Sequence, residues 1–227
     1  MLARVITRLG FLARRPWISR FTIDGRAYGG RYDVTHDPRL GHFFRCFPGA
    51  RRALELGSLE GAHTFALAAR VAEVHGIEGR AANLRKARFV QRRLGRRNVT
   101  FHQADLETFD PAALGRFDAV FCCGLLYHLP RPWELLARLR RAADGLLLAT
   151  HYAPADKADE ERNGYAGTRY HEFGLKEPLS GLSAESFWPT LDELVRMVRD
   201  AGYAAVEVCD DDRSHPHGPL VTLAARV

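Results

Sequence analysis

Lysine is nearly missing from this chain. Lys86, Lys157 and Lys176 are its only three, in a total of 33 lysines and arginines among 227 residues. So broad a preference for arginine is compositional and marks no site by itself, but its distribution is informative. Gly79 to Ala104 holds seven arginines and one lysine with no acid, whereas acids outnumber bases from Pro154 to Asp212. The surface is therefore expected to be polarised, with a formal net charge of +6. Cysteine is scarce too. Cys46, Cys122, Cys123 and Cys209 form no Cys-x-x-Cys pair, and Cys122-Cys123 lies in an apolar run. That spacing argues for reduced, buried thiols in a cytoplasmic setting rather than a disulfide framework or a zinc site. No apolar run approaches the length of a membrane span, and the secretory pattern of apolar core and small-residue cleavage site is missing. There is no internal repeat, no low-complexity segment and no Gly-x-Gly-x-x-Gly fingerprint. His215 and His217 lie in a polar turn without evident further ligands, so no metal is assigned.

What remains is ordinary for a globular protein: 46% hydrophobic and 26% charged residues, enough for one domain with a large core. The chain is organised around Ala53 to Gly61. A short apolar run, Ala53 to Leu56, reads as a buried parallel strand, and Gly57 and Gly61 follow before a helical stretch, His63 to Arg70. Strand, glycine turn and helix make the first crossover of a nucleotide-binding fold: the glycines admit a ligand without a Cβ, and the helix start offers free N–H groups. Glu73 to Ile77 is a second strand ending at Glu78, about twenty residues past the turn. An acid there is placed to accept hydrogen bonds from ribose hydroxyls. A helix over Asn83 to Leu94, a strand over Val99 to His102 with Asp105 beyond it, and a strand over Phe117 to Cys122 follow. Then come a helix from Pro132, a strand over Gly145 to Thr150, and His151. Alternation of this kind predicts a parallel sheet with helices on both faces. The glycine turn, Glu78, Asp105, Gly124 to His128, and His151 all fall at carboxyl ends of strands, the edge where open α/β sheets bind ligands.

Three regions lie outside the alternation. Residues 1–48 read as an amphipathic helix (Leu2, Val5, Ile6, Leu9, Leu12) that packs on the main domain and helps cover the site, then a turn at Asp24-Gly25 and a flap around Tyr28 to Tyr32. The rest, 49–227, reads as the main domain, in which about 152–190 lack a clear element and form a lid rich in aromatics. Tyr203 to Val208 and Leu220 to Ala225, joined by a polar turn too short for a helix, must pair antiparallel.

The pattern resembles the class I S-adenosylmethionine-dependent methyltransferases over about residues 50–226. The likeness rests on Glu55-x-Gly57-x-x-x-Gly61, Glu78, Ala104-Asp105, Phe117-Asp118-Ala119-Val120 and the terminal hairpin, which separates this family from the dinucleotide-binding dehydrogenases. Leu59 stands where many members carry a further glycine. The fold implied is a Rossmann-like, doubly wound seven-stranded sheet, mostly parallel, with a C-terminal antiparallel hairpin. The cofactor implied is S-adenosyl-L-methionine. Glu55, Gly57 and Gly61 would hold its methionine part, with Ser58 in the same set. Glu78 would hold the ribose and Asp105 the adenine amino group, with the backbone of Cys123 and Gly124 near the methionine end. Gly124-Leu125-Leu126-Tyr127-His128 is similar to the wobble-uridine tRNA methyltransferase and carboxymethyltransferase group.

Such an enzyme mainly aligns an acceptor with the transferred methyl, and a base helps if the acceptor is a hydroxyl. His128 is the first candidate base, His151 the second, and Tyr127 orients the acceptor. His171 and Glu172 read as surface loop, with His171 retained as an acceptor contact beside Tyr32, Tyr152 and Tyr170. A small molecule taking a methyl on oxygen is the expected acceptor. RNA is the alternative, suggested by the arginine-rich helix, and a non-catalytic methyltransferase-like subunit is the rival from another class.

Overall fold

The computed structural model describes residues 2–174 and 177–227. It begins with helix α1 (Leu2–Leu12) and a hairpin of β1 (Arg20–Ile23) and β2 (Arg26–Gly29). Asp24 (φ 50°) and Gly25 (φ 72°) supply the left-handed pair that a two-residue hairpin turn requires. Helix α2 (Pro38–Cys46) starts on Asp37, whose side chain accepts from the Arg39 N–H, with proline in its first turn. The alternating part then runs β3 (Arg52–Leu56), α3 (Ala62–Leu67), β4 (Glu73–Glu78), α4 (Ala81–Leu94), β5 (Val99–Gln103), β6 (Phe117–Cys123), α5 (Pro132–Ala142) and β7 (Ala143–His151). Three short strands follow, β8 (Glu160–Arg162), β9 (Tyr165–His171) and β10 (Glu185–Pro189). The chain closes with α6 (Leu191–Asp200), β11 (Ala205–Asp212) and β12 (Leu220–Arg226).

The main sheet has seven strands in the order β11-β12-β7-β6-β3-β4-β5. β7, β6, β3, β4 and β5 are parallel, while β12 runs antiparallel to both β7 and β11. This is the doubly wound sheet with a terminal hairpin expected from the sequence. One core packs α5 and α6 against it, with Leu54, Leu56, Leu135 and Leu146 fully buried. The other packs α2, α3 and α4, and Phe11, Phe21 and Ile23 of the N-terminal region join it. Removing a side chain such as Leu54 would cost about 2–5 kcal/mol. Strand order reverses between β3 and β6, which open in opposite directions, and a crevice forms there at the carboxyl edge.

Two expectations change. The segment 152–190 contains a three-stranded antiparallel sheet, ordered β10-β9-β8. Its strands escaped notice because β8 is only three residues long and β9 keeps no period-two burial beyond its first half. Helix α1 lies on the domain through Thr7, Gly10 and Phe11, with Gly10 so close to the Phe89 ring that a Cβ would meet it at 2.4 Å. Its apolar stripe faces outward, from 42% exposed at Leu12 to 74% at Leu2. The contact surface is thus the small-residue side of the helix, which hydrophobic periodicity cannot show. Among the described residues no helix is long and apolar enough to cross a membrane.

Candidate functional site

The crevice holds a cavity of about 420 Å³. Its floor is the turn after β3. Gly57 (φ 70°) and Gly61 (φ 89°) bend the chain in the left-handed region, and a Cβ on Gly61 would meet Phe65 and Phe101 at 2.9 Å. Leu59 is also left-handed, at φ 50°. The turn forces a bulky residue into a conformation costing roughly 1–2 kcal/mol. Its N–H is held by Glu78 Oε2 at 2.9 Å. Glu78 Oε1 accepts from the Arg80 N–H at 2.7 Å, so this one buried carboxylate joins the tip of β4 to the glycine turn. Burial pushes its carboxyl above the ordinary range, opposed by those two backbone bonds. Asp105, after β5, lines the same cavity and accepts from the Glu107 N–H at 2.9 Å.

Glu55 is buried at the end of β3 and bonds the Thr64 hydroxyl. Burial pushes its carboxyl up to about 8, and the nearby Glu78 adds to the effect. Ser58 Oγ is buried on the cavity wall with no hydrogen-bond partner among the described residues. A buried hydroxyl left unpaired is costly, so this atom marks where a polar ligand completes the site.

Opposite the floor, Cys123, Gly124, Tyr127 and His128 line the cavity. His128 sits in a short 3-10 turn, with its Nδ1 2.9 Å from Glu172 Oε1. Glu172 is only 4% exposed, not the surface-loop residue expected. It also accepts from Ser180 Oγ (2.6 Å), the Gly181 N–H (2.6 Å) and Ser186 Oγ (2.9 Å). Burial pushes its carboxyl up, but the bonds from His128, Ser180 and Gly181 prevail and bring it down to about 2. An ionised carboxylate can only accept, so Nδ1 of neutral His128 carries the proton and Nε2 keeps the lone pair. Burial pushes the Tyr127 phenol up to about 12, leaving it a donor at neutral pH.

The remaining candidates separate. Tyr32 lines the cavity. His151 does not: its Nδ1 donates to the carbonyls of Gly218 and Pro219, and its ring stacks on Trp188 at 5.0 Å. Tyr152 is turned into the core below, donating to Asp211 Oδ1 at 2.7 Å. Tyr170 is half-exposed and stacks on the outer side of Trp188, and His171 is exposed beside Phe173. Tyr170 and His171 lie on β9, paired with β10, and neighbouring residues Ser180 to Leu182 line the crevice instead.

Several groups in and around the cavity wall had no sequence signal. Asp37 bonds both Arg39 and His63, the latter at 2.8 Å, and Arg39 also reaches the Tyr32 hydroxyl. Burial raises the Asp37 carboxyl, but bonds from His63 and Arg39 hold it far below the usual range. Glu60, fully buried, accepts from the N–H groups of Ile18 and Ser19 and from Lys86 Nζ at 2.8 Å, so it pins the N-terminal strap over the glycine turn.

A crevice at the carboxyl edge of such a sheet, with a glycine turn, two acids on successive strand tips and an antiparallel last pair, defines a transferase fold built to hold a nucleoside cofactor. Residues 53–144 match the model of the methyltransferase domain family. No curated protein matches the chain. Among solved structures, the N-terminal domain of EvdMO1 with S-adenosylhomocysteine bound is 37% identical, with TM-score 0.88 over 100% of this chain and 98% of that one. The same domain in the presence of S-adenosylhomocysteine and D-fucose aligns at 37% identity and TM-score 0.87, over 100% and 97%. EvdMO1 itself aligns at 36% identity and TM-score 0.76 over 99% of this chain, which spans only 47% of that longer one. The chain belongs to the class I S-adenosylmethionine-dependent methyltransferases, and S-adenosylmethionine is its cofactor.

Proposed function

We propose that this methyltransferase acts on a hydroxyl of a small, sugar-sized acceptor, with His128 as general base. The observation that carries this reading is the His128–Glu172 pair on the wall facing the glycine turn. The cavity fits the cofactor: the unpaired Ser58 hydroxyl, the Cβ-free backbone of Gly57, and the carboxylates Glu55, Glu78 and Asp105 match its hydroxyls, ammonium and amino group. Glu55, Gly57, Ser58 and Gly61, with the backbone of Cys123 and Gly124, hold the methionine part in this reading. Glu78 holds the ribose and Asp105 the adenine. When bound, S-adenosylmethionine supplies a methyl on a sulfonium, already a good leaving group.

The protein's own share is positioning and one proton. His128 Nε2 accepts the proton of the acceptor hydroxyl, and Glu172 stabilises the imidazolium that results. Glu172 acts through His128 and is a positioning residue. Tyr127, protonated, orients the acceptor oxygen, and Tyr32 closes the far wall. A sugar-class acceptor is supported by the 37% identical EvdMO1 domain, whose structure was solved in the presence of D-fucose.

Purified protein incubated with S-adenosylmethionine and a panel of deoxysugars and their glycosides tests the reading. Formation of S-adenosylhomocysteine together with an acceptor heavier by one methyl on oxygen is expected. A methyl found on nitrogen, or transfer to RNA that weakens steeply with salt, would replace it.

A further inference from the structure

The spacing of the cysteines predicts no metal site, but the fold brings two of them together. Cys46 ends α2, and Cys209 lies on β11, a strand at the opposite end of the sequence. The sulfurs of Cys46 and Cys209 and a carboxylate oxygen of Glu207 all lie within 4.8 Å of one another. The pairing of β11 with β12 shifts register between Val208 and Asp210, so Cys209 is the extra residue of a β-bulge, a device that re-aims a side chain. Here Cys209 packs against the core that contains α2. His42 precedes Cys46 by one helical turn, on the same face of α2.

The Arg45 guanidinium already sits among these donors. Its Nη1 is 2.9 Å from Glu207 Oε1, and its Nη2 is 3.4 Å from both Cys209 Sγ and His42 Nδ1. One nitrogen, one carboxylate and one sulfur therefore surround a positive charge, with the second sulfur adjoining. Arg45 and Glu207 are about half exposed, and an exposed ion pair is a weak restraint, free to swing outward.

We propose that Cys46, Cys209, Glu207 and His42 form a binding site for one zinc-class divalent cation, which displaces the Arg45 guanidinium. Two thiolates, an imidazole and a carboxylate are the tetrahedral donor set of a borderline-soft ion, with metal–sulfur bonds of about 2.3 Å. Binding requires both thiols to ionise. Two protons leave to solvent as the two metal–sulfur bonds form, so affinity rises with pH. The groups facing the site are Arg45 and His42 from α2, Glu207 from β11 and Arg226 from β12, whose guanidinium donates to the Cys46 carbonyl at 2.8 Å. The ion would tie α2, whose first turn carries Arg39 into the cavity, to an edge strand otherwise joined to it through exposed side chains.

The test is a cobalt(II) titration of the full chain, reduced and stripped of metal. A near-ultraviolet thiolate-to-cobalt charge-transfer band is expected, saturating at one equivalent and bleached by one equivalent of zinc. Cys209→Ser, a substitution at a partly exposed position, should abolish it, and His42→Ala should weaken binding at least about tenfold. Arg45→Ala should tighten binding, because it removes the competing cation. No band, or a band that survives Cys209→Ser, overturns the proposal. So does a loss of two hydrogens on mild oxidation without any cobalt band, since the thiols would then serve each other.

Discussion

The two walls of the cavity are built differently. The cofactor wall is local. Glu55, Gly57, Ser58 and Gly61 lie within seven residues, and Glu78 reaches back to Leu59 across 19 positions. The opposite wall is assembled at a distance: His128 meets Glu172 across 44 positions, and Tyr127 meets Trp188 across 61. The carboxylates of the two walls also differ in state. Glu55, deeply buried with one hydrogen bond from Thr64, is raised to about 8, whereas Glu172 is brought to about 2 by bonds from His128, Ser180 and Gly181. Desolvation prevails where one donor opposes it and loses where three do. In the proposed reading Glu55 waits for a cation to ionise it, while Glu172 is ionised in advance.

That contrast can be broken experimentally. His128→Gln should lower kcat by about 10²–10⁴-fold with little change in cofactor affinity. Equal loss of both, by steady-state kinetics and calorimetry, would remove His128 as the base. Glu78→Ala should do the reverse, weakening cofactor binding by about ten- to a hundredfold as charge-assisted hydrogen bonds are lost, and calorimetry reads it directly. For Glu172→Gln, kcat should fall about tenfold or more, because the tautomer of His128 is no longer imposed. Cofactor affinity by calorimetry should stay unchanged; an equal loss of both would reduce Glu172 to a structural part.

Glu55 gives a smaller, continuous effect. Below pH 8 the free protein holds it protonated, and pairing with the cofactor ammonium expels that proton. Cofactor affinity should therefore rise with pH up to about 8, by at most about tenfold per unit, and then level off. Glu55→Gln should flatten the curve. The same shift opposes folding in the other sense: its stabilising contribution is complete below the ordinary carboxyl range and is lost as pH rises towards 8. Smallest is Leu59→Gly. Relief of the left-handed backbone is partly offset by glycine's entropy, for a gain within about 1 kcal/mol, or about 2–4 °C in Tm. A clear loss would show that the Leu59 side chain, which lines the cavity, contributes more than its strain costs.

Legibility followed the same division. The sheet, its crossovers and the closing hairpin could be read because each depends on burial periodicity and turn residues within a few positions. Glu78 and Asp105 could be placed because strand ends locate them. Tyr152 and Tyr170 could not be excluded from the cavity, since an aromatic in an irregular stretch gives no period to tell which way it turns. Glu172 looked like loop for the same reason, and only its four donors, drawn from three separate stretches, show otherwise. The α1 stripe misled differently: Gly10 and Thr7 pack because a ring of α4 needs room, a steric fact of the partner helix.

From sequence alone, then, came the parallel sheet, the glycine bend and the acids at the strand tips, because local backbone preference and apolar patterning act over single elements. Tertiary structure alone decided which histidine is oriented by a carboxylate, which carboxylate is charged, and that Cys46 lies against Cys209. Those are properties of side chains facing each other across long loops, where desolvation and hydrogen-bond count depend on neighbours that spacing along the chain does not encode.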